Sequence, residues 1–188
     1  MKKNLEHYIL HLNKFVDKNL CKNILINLKE KSFEKHTFYN PRTKTEKSLS
    51  DNQELETNHS NFLEKKELLD KLWYAIKNYM THIDFSWYNE WTGYTDIRFN
   101  KYLHNKKMAL HCDHIHSMFD GEIKGIPILS IVGLLNDNFE GGDFIMFDNY
   151  KINFKEGDVI IFPSNFLYPH KVTPIKKGVR YSFVSWVY

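Results

Sequence analysis

The sequence predicts an α+β protein in which N-terminal helices pack on one sheet of an antiparallel double-sheet barrel or jelly roll, and three observations carry that expectation. From Thr95 onward the chain divides into short apolar or alternating runs separated by turn residues, with no helical period between them; such a succession builds closed antiparallel sheets. Before Thr95, two stretches repeat apolar residues at helical spacing,. At 188 residues with 42% hydrophobic content, the chain suits a single domain that buries a proper core,. Residues 1–94 read as helical support plus a loop, and residues 95–188 as the core that carries the chemistry.

Taken in order, Asp17 is a good N-cap, and Leu20, Ile24, Leu25 and Leu28 follow at helical spacing with Lys29 and Lys31 near the far end,. Residues 32–59 are polar, contain Pro41 and a Ser/Asp/Asn cluster, and show no period; they read as a long loop suited to covering a site. Asn61 with Glu64 forms a capping-box start for a second helix, whose stripe of Leu68, Leu69, Leu72, Trp73, Ile76, Tyr79 and Met80 ends near Met80,. Trp87, Tyr88, Trp91 and Tyr94 then bridge into the strands, more as core than as a substrate platform. Strand-like runs follow at 96–103, 108–113, 127–135, 144–147, 159–162, 170–173 and 179–187. Gly141-Gly142-Asp143 and Glu156-Gly157-Asp158 are turns; with no helix after it, Gly141-Gly142 is not a phosphate cradle.

Composition excludes several classes. A charged fraction of 26% beside that hydrophobic content rules out global disorder,. Net charge is only +3, although residues 1–50 hold eleven Lys/Arg against five acids; a solvated helix face accounts for this better than a nucleic-acid partner. Two cysteines, Cys21 and Cys112, without a CxxC motif indicate a reducing compartment, so a cytoplasmic location is expected,. The N-terminus lacks the apolar run of a signal peptide, and no stretch is long enough to span a membrane,.

The chemistry concentrates in Met108-Ala109-Leu110-His111-Cys112-Asp113. On a strand, His111 and Asp113 project to one face while Cys112 points away, as a buried small hydrophobe. His-x-Asp alone is weak in a chain with ten histidines. With His170 at the head of a later strand, it becomes a two-His-one-carboxylate set, which suits non-haem Fe(II) and leaves one side of the metal open. Ten residues further, Arg180 shares a strand face with Ser182; a guanidinium beside a hydroxyl is a bidentate carboxylate receptor. Two neutral imidazoles and one carboxylate leave Fe(II) positive, so the site attracts a dianion reaching from the metal to Arg180. That would fill five octahedral positions and leave the sixth for O₂.

The motifs Asp96-Ile97-Arg98-Phe99-Asn100-Lys101-Tyr102, His111-Cys112-Asp113, Leu135-Asn136, Glu140-Gly141-Gly142-Asp143-Phe144, Gly157 to Pro163, His170 to Pro174 and Gly178 to Ser182 resemble the 2-oxoglutarate/Fe(II)-dependent dioxygenase superfamily, prolyl 4-hydroxylase-like branch, over about residues 95–188. The resemblance implies a double-stranded β-helix core with His111, Asp113 and His170 as iron ligands. It implies Arg180 on the distal carboxylate of 2-oxoglutarate, with Ser182 assisting and Tyr102 donating its hydroxyl to the same cosubstrate. The implied reaction couples oxidative decarboxylation of 2-oxoglutarate, to succinate and CO₂, with hydroxylation of a protein or peptide side chain, most often prolyl, with ascorbate as reductant. Asp113 separates the chain from halogenase variants, which lack that carboxylate. Gly133-Leu134 stands where several relatives have an aromatic, so part of the cosubstrate pocket is expected to close differently.

His114 and His116 continue the metal motif but fall where the strand runs out into a loop over 117–125, and that loop and 31–59 are expected to close over substrate. Two other readings remain open on the sequence: oxidative demethylation of a nucleic-acid base, and a non-catalytic jelly roll holding zinc.

Overall fold

A computed structural model describes residues 4–40, 45–47, 54–85, 91, 93–113 and 127–188. After a short 3-10 turn at Leu5–Tyr8, the elements in chain order are β1 (Leu10–Leu12), α1 (Lys18–Lys29), β2 (Glu34–Lys35), β3 (Phe38–Asn40), β4 (Thr45–Lys47), β5 (Glu56–Asn58) and α2 (Leu63–Ile83). The second half is β6 (Arg98–Tyr102), β7 (Met108–His111), β8 (Leu129–Leu134), β9 (Glu140–Gly141), β10 (Phe144–Met146), β11 (Tyr150–Lys151), β12 (Val159–Pro163), β13 (His170–Val172), β14 (Ile175–Lys177) and β15 (Arg180–Val187). No helix among the described residues is long and apolar enough to cross a membrane.

A seven-stranded sheet in the order β1-β12-β8-β15-β6-β5-β2 faces a four-stranded sheet in the order β11-β10-β13-β7, and the strand ladders are antiparallel. Strand alternation divides the larger sheet's side chains between two cores. Val159, Ile161, Ile131, Phe99, Phe183 and Val187 pack outward against Leu20, Ile24 and Leu28 of α1 and Leu68, Leu72, Ile76 and Tyr79 of α2. Ile160, Phe162, Val132 and Val184 point between the sheets, where Phe144, Met146 and Val172 meet them. The helices thus brace the back of the large sheet and leave its inner face to the site.

Helix α1 begins as its sequence requires: Asp17 Oδ1 accepts the Leu20 N–H at 2.9 Å,. Helix α2 does not use the capping box read at Asn61 and Glu64. Its N-cap is Phe62 with no side-chain cap. Asn61 Oδ1 instead accepts from buried Lys65 Nζ at 3.1 Å, and Glu64 Oε2 accepts from Asn27 Nδ2 of α1 at 3.1 Å. Lys65 also meets Asp96 Oδ2 at 2.6 Å, so demands from the tertiary structure take both cap side chains. The stretch 32–59 is not one long loop. It contributes β2 to β5, of which β5 pairs with β6 through Thr57↔Asn100, and Leu55 just before β5 lines the site. Strand β1 likewise closes the opposite edge of the sheet on β12. Residues 41–44 and 48–53 lie outside the described set.

Gly133 faces the helices rather than the cosubstrate side. A Cβ there would run into the Phe183 ring, which occupies the space that a side chain would take. Gly133→Ala should therefore destabilise the fold by about 1–3 kcal/mol through overpacking. A lower denaturant midpoint checks this, and an unchanged midpoint would show that the ring moves freely.

Candidate metal centre and cosubstrate pocket

Strand β7 delivers His111 as its last residue, and β13 begins with His170 directly across the ladder. Their rings lie 4.3 Å apart, centroid to centroid. Asp113 sits two residues past the end of β7, yet its Oδ1 reaches 3.3 Å from His111 Nε2 and 3.6 Å from His170 Nε2. One ligand atom from each of the three residues falls within 4.8 Å of the others, close enough to share a single ion. The set predicted from sequence is therefore brought together, although Asp113 is not itself on the strand. Cys112 differs from its expected buried role: it is half-buried, with Sγ 3.6 Å from the Phe166 carbonyl. His114, His116 and the loop after them lie outside the described residues, as does Trp87; Trp91 packs on Trp73 at 5.3 Å, as core.

Each ligand is oriented from behind. His111 Nδ1 lies 2.8 Å from the Ala109 carbonyl and His170 Nδ1 3.2 Å from the Tyr168 carbonyl. In the neutral ring, an Nδ1–H donated to these acceptors puts the lone pair on Nε2 in both histidines. His170 is further held by Phe144, stacked at 5.3 Å, and by Phe162, edge-on at 5.0 Å. The Asp113 carboxylate is divided between tasks. Oδ2 accepts from Ser130 Oγ at 2.7 Å and Trp186 Nε1 at 3.0 Å, leaving Oδ1 turned to the histidines.

The electrostatics follow from this packing. Burial alone would raise the Asp113 pKa, but the imidazoles of His170 and His111 and the Ser130 hydroxyl outweigh it and hold the carboxyl well below its usual range,. Burial, with His111 adding to it, pushes His170 down to about 4 despite Asp113. His111 goes the other way: burial lowers it, but the Asp113 contact more than compensates.

Deeper in the cleft, Arg180 is 1% exposed. Its Nη1 donates to Ser182 Oγ at 2.8 Å, and its Cζ lies 4.9 Å over the Tyr102 ring. Nε and Nη2 are buried with no hydrogen-bond partner among the described residues. A buried guanidinium with two unpaired donors is costly unless a ligand supplies the acceptors, and a carboxylate matches that fork. Burial raises the Tyr102 pKa against the pull of Arg180 and Arg98, so its hydroxyl stays protonated and able to donate. Gly142, at φ +63, lets the Arg180 stem pass, since a Cβ there would meet Arg180 Cδ at 3.0 Å,.

The sequence reading missed Ser130 and Trp186 as holders of Asp113, and Arg98 and Leu55 as lining of the same cleft. Strand parity could have found two of them. Trp186 shares the face of Arg180 and Ser182, and Arg98 shares that of Tyr102.

Residues 97–188 match the family model of the 2OG-Fe(II) oxygenase superfamily. Over these residues, just under half of the chain, the sequence is similar to 2OG-Fe(II) oxygenases, a class whose chemistry uses Fe(II), 2-oxoglutarate and O₂. Within that class the likeness is to prolyl 4-hydroxylase-like enzymes. A PKHD-type hydroxylase of Xylella fastidiosa (strain M12) is 32% identical over 107 residues, 48% of this chain and 43% of that protein. The PKHD-type hydroxylase YbiX of Escherichia coli O9:H4 (strain HS) is 28% identical over 101 residues, 47% of this chain and 41% of that protein. The chain thus spans less than half the length of these curated relatives. Among solved structures, a Trichoplax adhaerens prolyl hydroxylase in complex with a hypoxia inducible factor peptide fragment superposes with a TM-score of 0.71 at 17% identity, over 97% of this chain and 84% of that one. A viral collagen prolyl hydroxylase from Paramecium bursaria Chlorella virus-1, in complex with 2OG, gives 0.66 at 17% identity, over 96% and 94%. The fold is therefore the jelly roll of that class.

Metal binding should depend on pH in a definite direction. A protonated imidazole is no ligand, so the metal must displace the proton that Asp113 holds on His111. Mn(II) affinity is expected to fall as pH is lowered through the raised His111 pKa, and Asp113→Asn should move that fall to lower pH while weakening binding overall. Calorimetric titration from alkaline to mildly acid pH checks both. An affinity independent of pH would remove His111 from the ligand set.

Proposed function

We propose that the protein is an Fe(II)- and 2-oxoglutarate-dependent dioxygenase that hydroxylates a protein or peptide side chain, with a prolyl residue as the leading target. One observation carries the reading: three convergent ligands and the unpaired Nε and Nη2 of Arg180 line the same cleft. His111, Asp113 and His170 would hold the iron, and Arg180 the far carboxylate of 2-oxoglutarate. When bound, these two supply the oxidative decarboxylation that yields succinate and CO₂ and delivers oxygen to the substrate. Ser182 fixes the rotamer of Arg180, Tyr102 covers its face and offers a hydroxyl, and Ser130 with Trp186 keep Oδ1 of Asp113 aimed at the metal. Val132, Phe144, Val172 and Val184 make the surrounding wall apolar and exclude water,. Ascorbate would serve to restore the iron.

A peptide substrate is supported by the rim. Leu110, Phe166 and Leu167 are exposed apolar residues close in sequence to His111 and His170, and such groups are suited to an extended chain.

Succinate formation from 2-oxoglutarate, with Fe(II) and ascorbate in air and across proline-containing peptides, tests the proposal. His111→Ala and Asp113→Ala should abolish turnover. Arg180→Ala should keep metal binding but weaken 2-oxoglutarate by about 30-fold or more, as loss of a buried charge partner costs roughly 2 kcal/mol or above. Near-normal succinate from Asp113→Ala would refute the ligand assignment.

A further inference from the structure

Arg180 is not the only guanidinium in the cleft. Arg98, on the inner face of β6, lies with Cζ 5.1 Å over the Trp186 ring and donates from Nε to Asn100 Oδ1 at 3.1 Å. That is its one hydrogen bond among the described residues, so Nη1 and Nη2 are left to the cleft that Arg98 lines together with His111, Asp113 and His170. The residue is half-buried and open enough to meet a ligand.

Register separates the two arginines. In the β6–β15 ladder Arg180 stands opposite Tyr102 and Arg98 opposite Val184, four strand positions and about 14 Å apart at 3.4 Å per residue. A five-carbon dicarboxylate is shorter than two residues of extended chain, under about 7 Å. The backbone anchors of the two arginines thus stand farther apart along the strands than the cosubstrate is long. Each arginine also rests on its own ring: Arg180 lies over Tyr102, whereas Arg98 lies over Trp186, the side chain that donates to Asp113.

Charge gives the consequence. Burial disfavours the charged form of Arg98, and the carboxylate whose field chiefly opposes this is Asp113. With iron bound, the Asp113 charge is committed to the metal. Two neutral imidazoles, one carboxylate, Fe(II), the cosubstrate dianion and Arg180 then sum to zero, and Arg98 adds a positive charge that none of these groups offsets in a cleft that substrate will close. A closing group that leaves such a cation dry and unpaired is penalised; one that brings an anion is favoured.

We propose that Arg98 is the substrate-side specificity residue and receives a carboxylate carried by the substrate. The inference rests on the oxygenase reading and narrows its substrate class. The carboxylate has two sources with the same chemistry, an acidic side chain flanking the target residue of a peptide or the α-carboxylate of a free amino acid. In either case the terminal nitrogens of Arg98 take the two oxygens while Nε stays on Asn100, and the Trp186 face keeps the guanidinium plane fixed.

The test is equilibrium binding, which needs no turnover. The protein is loaded anaerobically with Mn(II) and 2-oxoglutarate, both bindings being read first, and is then titrated with paired ligands: a proline peptide with Asp or Asn beside the proline, and free proline or prolinamide. Wild type should bind the carboxylate member of one pair roughly 10-fold tighter, and the pair showing the preference identifies the source. Arg98→Gln should bind both members alike while holding Mn(II) and 2-oxoglutarate as wild type does, and Arg98→Lys should keep part of the preference. Equal binding of both members by wild type, or a preference that survives in Arg98→Gln, overturns the proposal and leaves the oxygenase reading standing. Failure of wild type to take up Mn(II) and 2-oxoglutarate overturns both.

Discussion

The site depends on how one carboxylate is shared. Asp113 gives Oδ2 to Ser130 and Trp186 and keeps Oδ1 for the two imidazoles. If either donor were lost, the carboxyl group would be free to rotate, and the three ligand atoms would no longer face one point. The donors come from separate strands, Ser130 on β8 and Trp186 on β15, neighbours in the large sheet. The two histidines come from the small sheet, cross-strand partners on β7 and β13. The candidate metal site thus spans the two sheets, and it can be no more rigid than their packing.

That packing explains the rest of the architecture. Helices α1 and α2 bury the back of the large sheet, so its inner face can carry polar and charged residues without loss of the core. Phe144 and Phe162 grip the His170 ring and supply the apolar surroundings that push its pKa to about 4, so it is neutral and ready to ligate at ordinary pH. Arg180, among the largest fully buried side chains of the described residues, is accommodated in part by Ser182 and Tyr102, and a ligand can satisfy the remainder,.

Much of this was legible in the chain. Strand alternation placed Arg180 and Ser182 on one face and Phe183 and Val187 on the other, and turn residues marked the strand boundaries, because both rules are local. What stayed hidden was tertiary. Asn61 and Glu64 look like a capping pair, but Lys65 and Asn27 claim them from elsewhere in the fold. The segments holding β2 and β5 have no period of their own, since two- and three-residue strands are defined by the partner they pair with rather than by their composition. Arg98 and Trp186 were readable as strand residues, but only the β6–β15 register and the Asp113 contact show that they border the metal site.

The most direct measurement of the central claim is a crystal structure of the protein loaded with Mn(II) and 2-oxoglutarate, with the metal located by its anomalous scattering. One metal is expected, bonded to Nε2 of His111, Nε2 of His170 and Oδ1 of Asp113, with the distal carboxylate of 2-oxoglutarate on Nε and Nη2 of Arg180. A metal that leaves out Asp113, or a cosubstrate that leaves those two nitrogens unpaired, would contradict the claim.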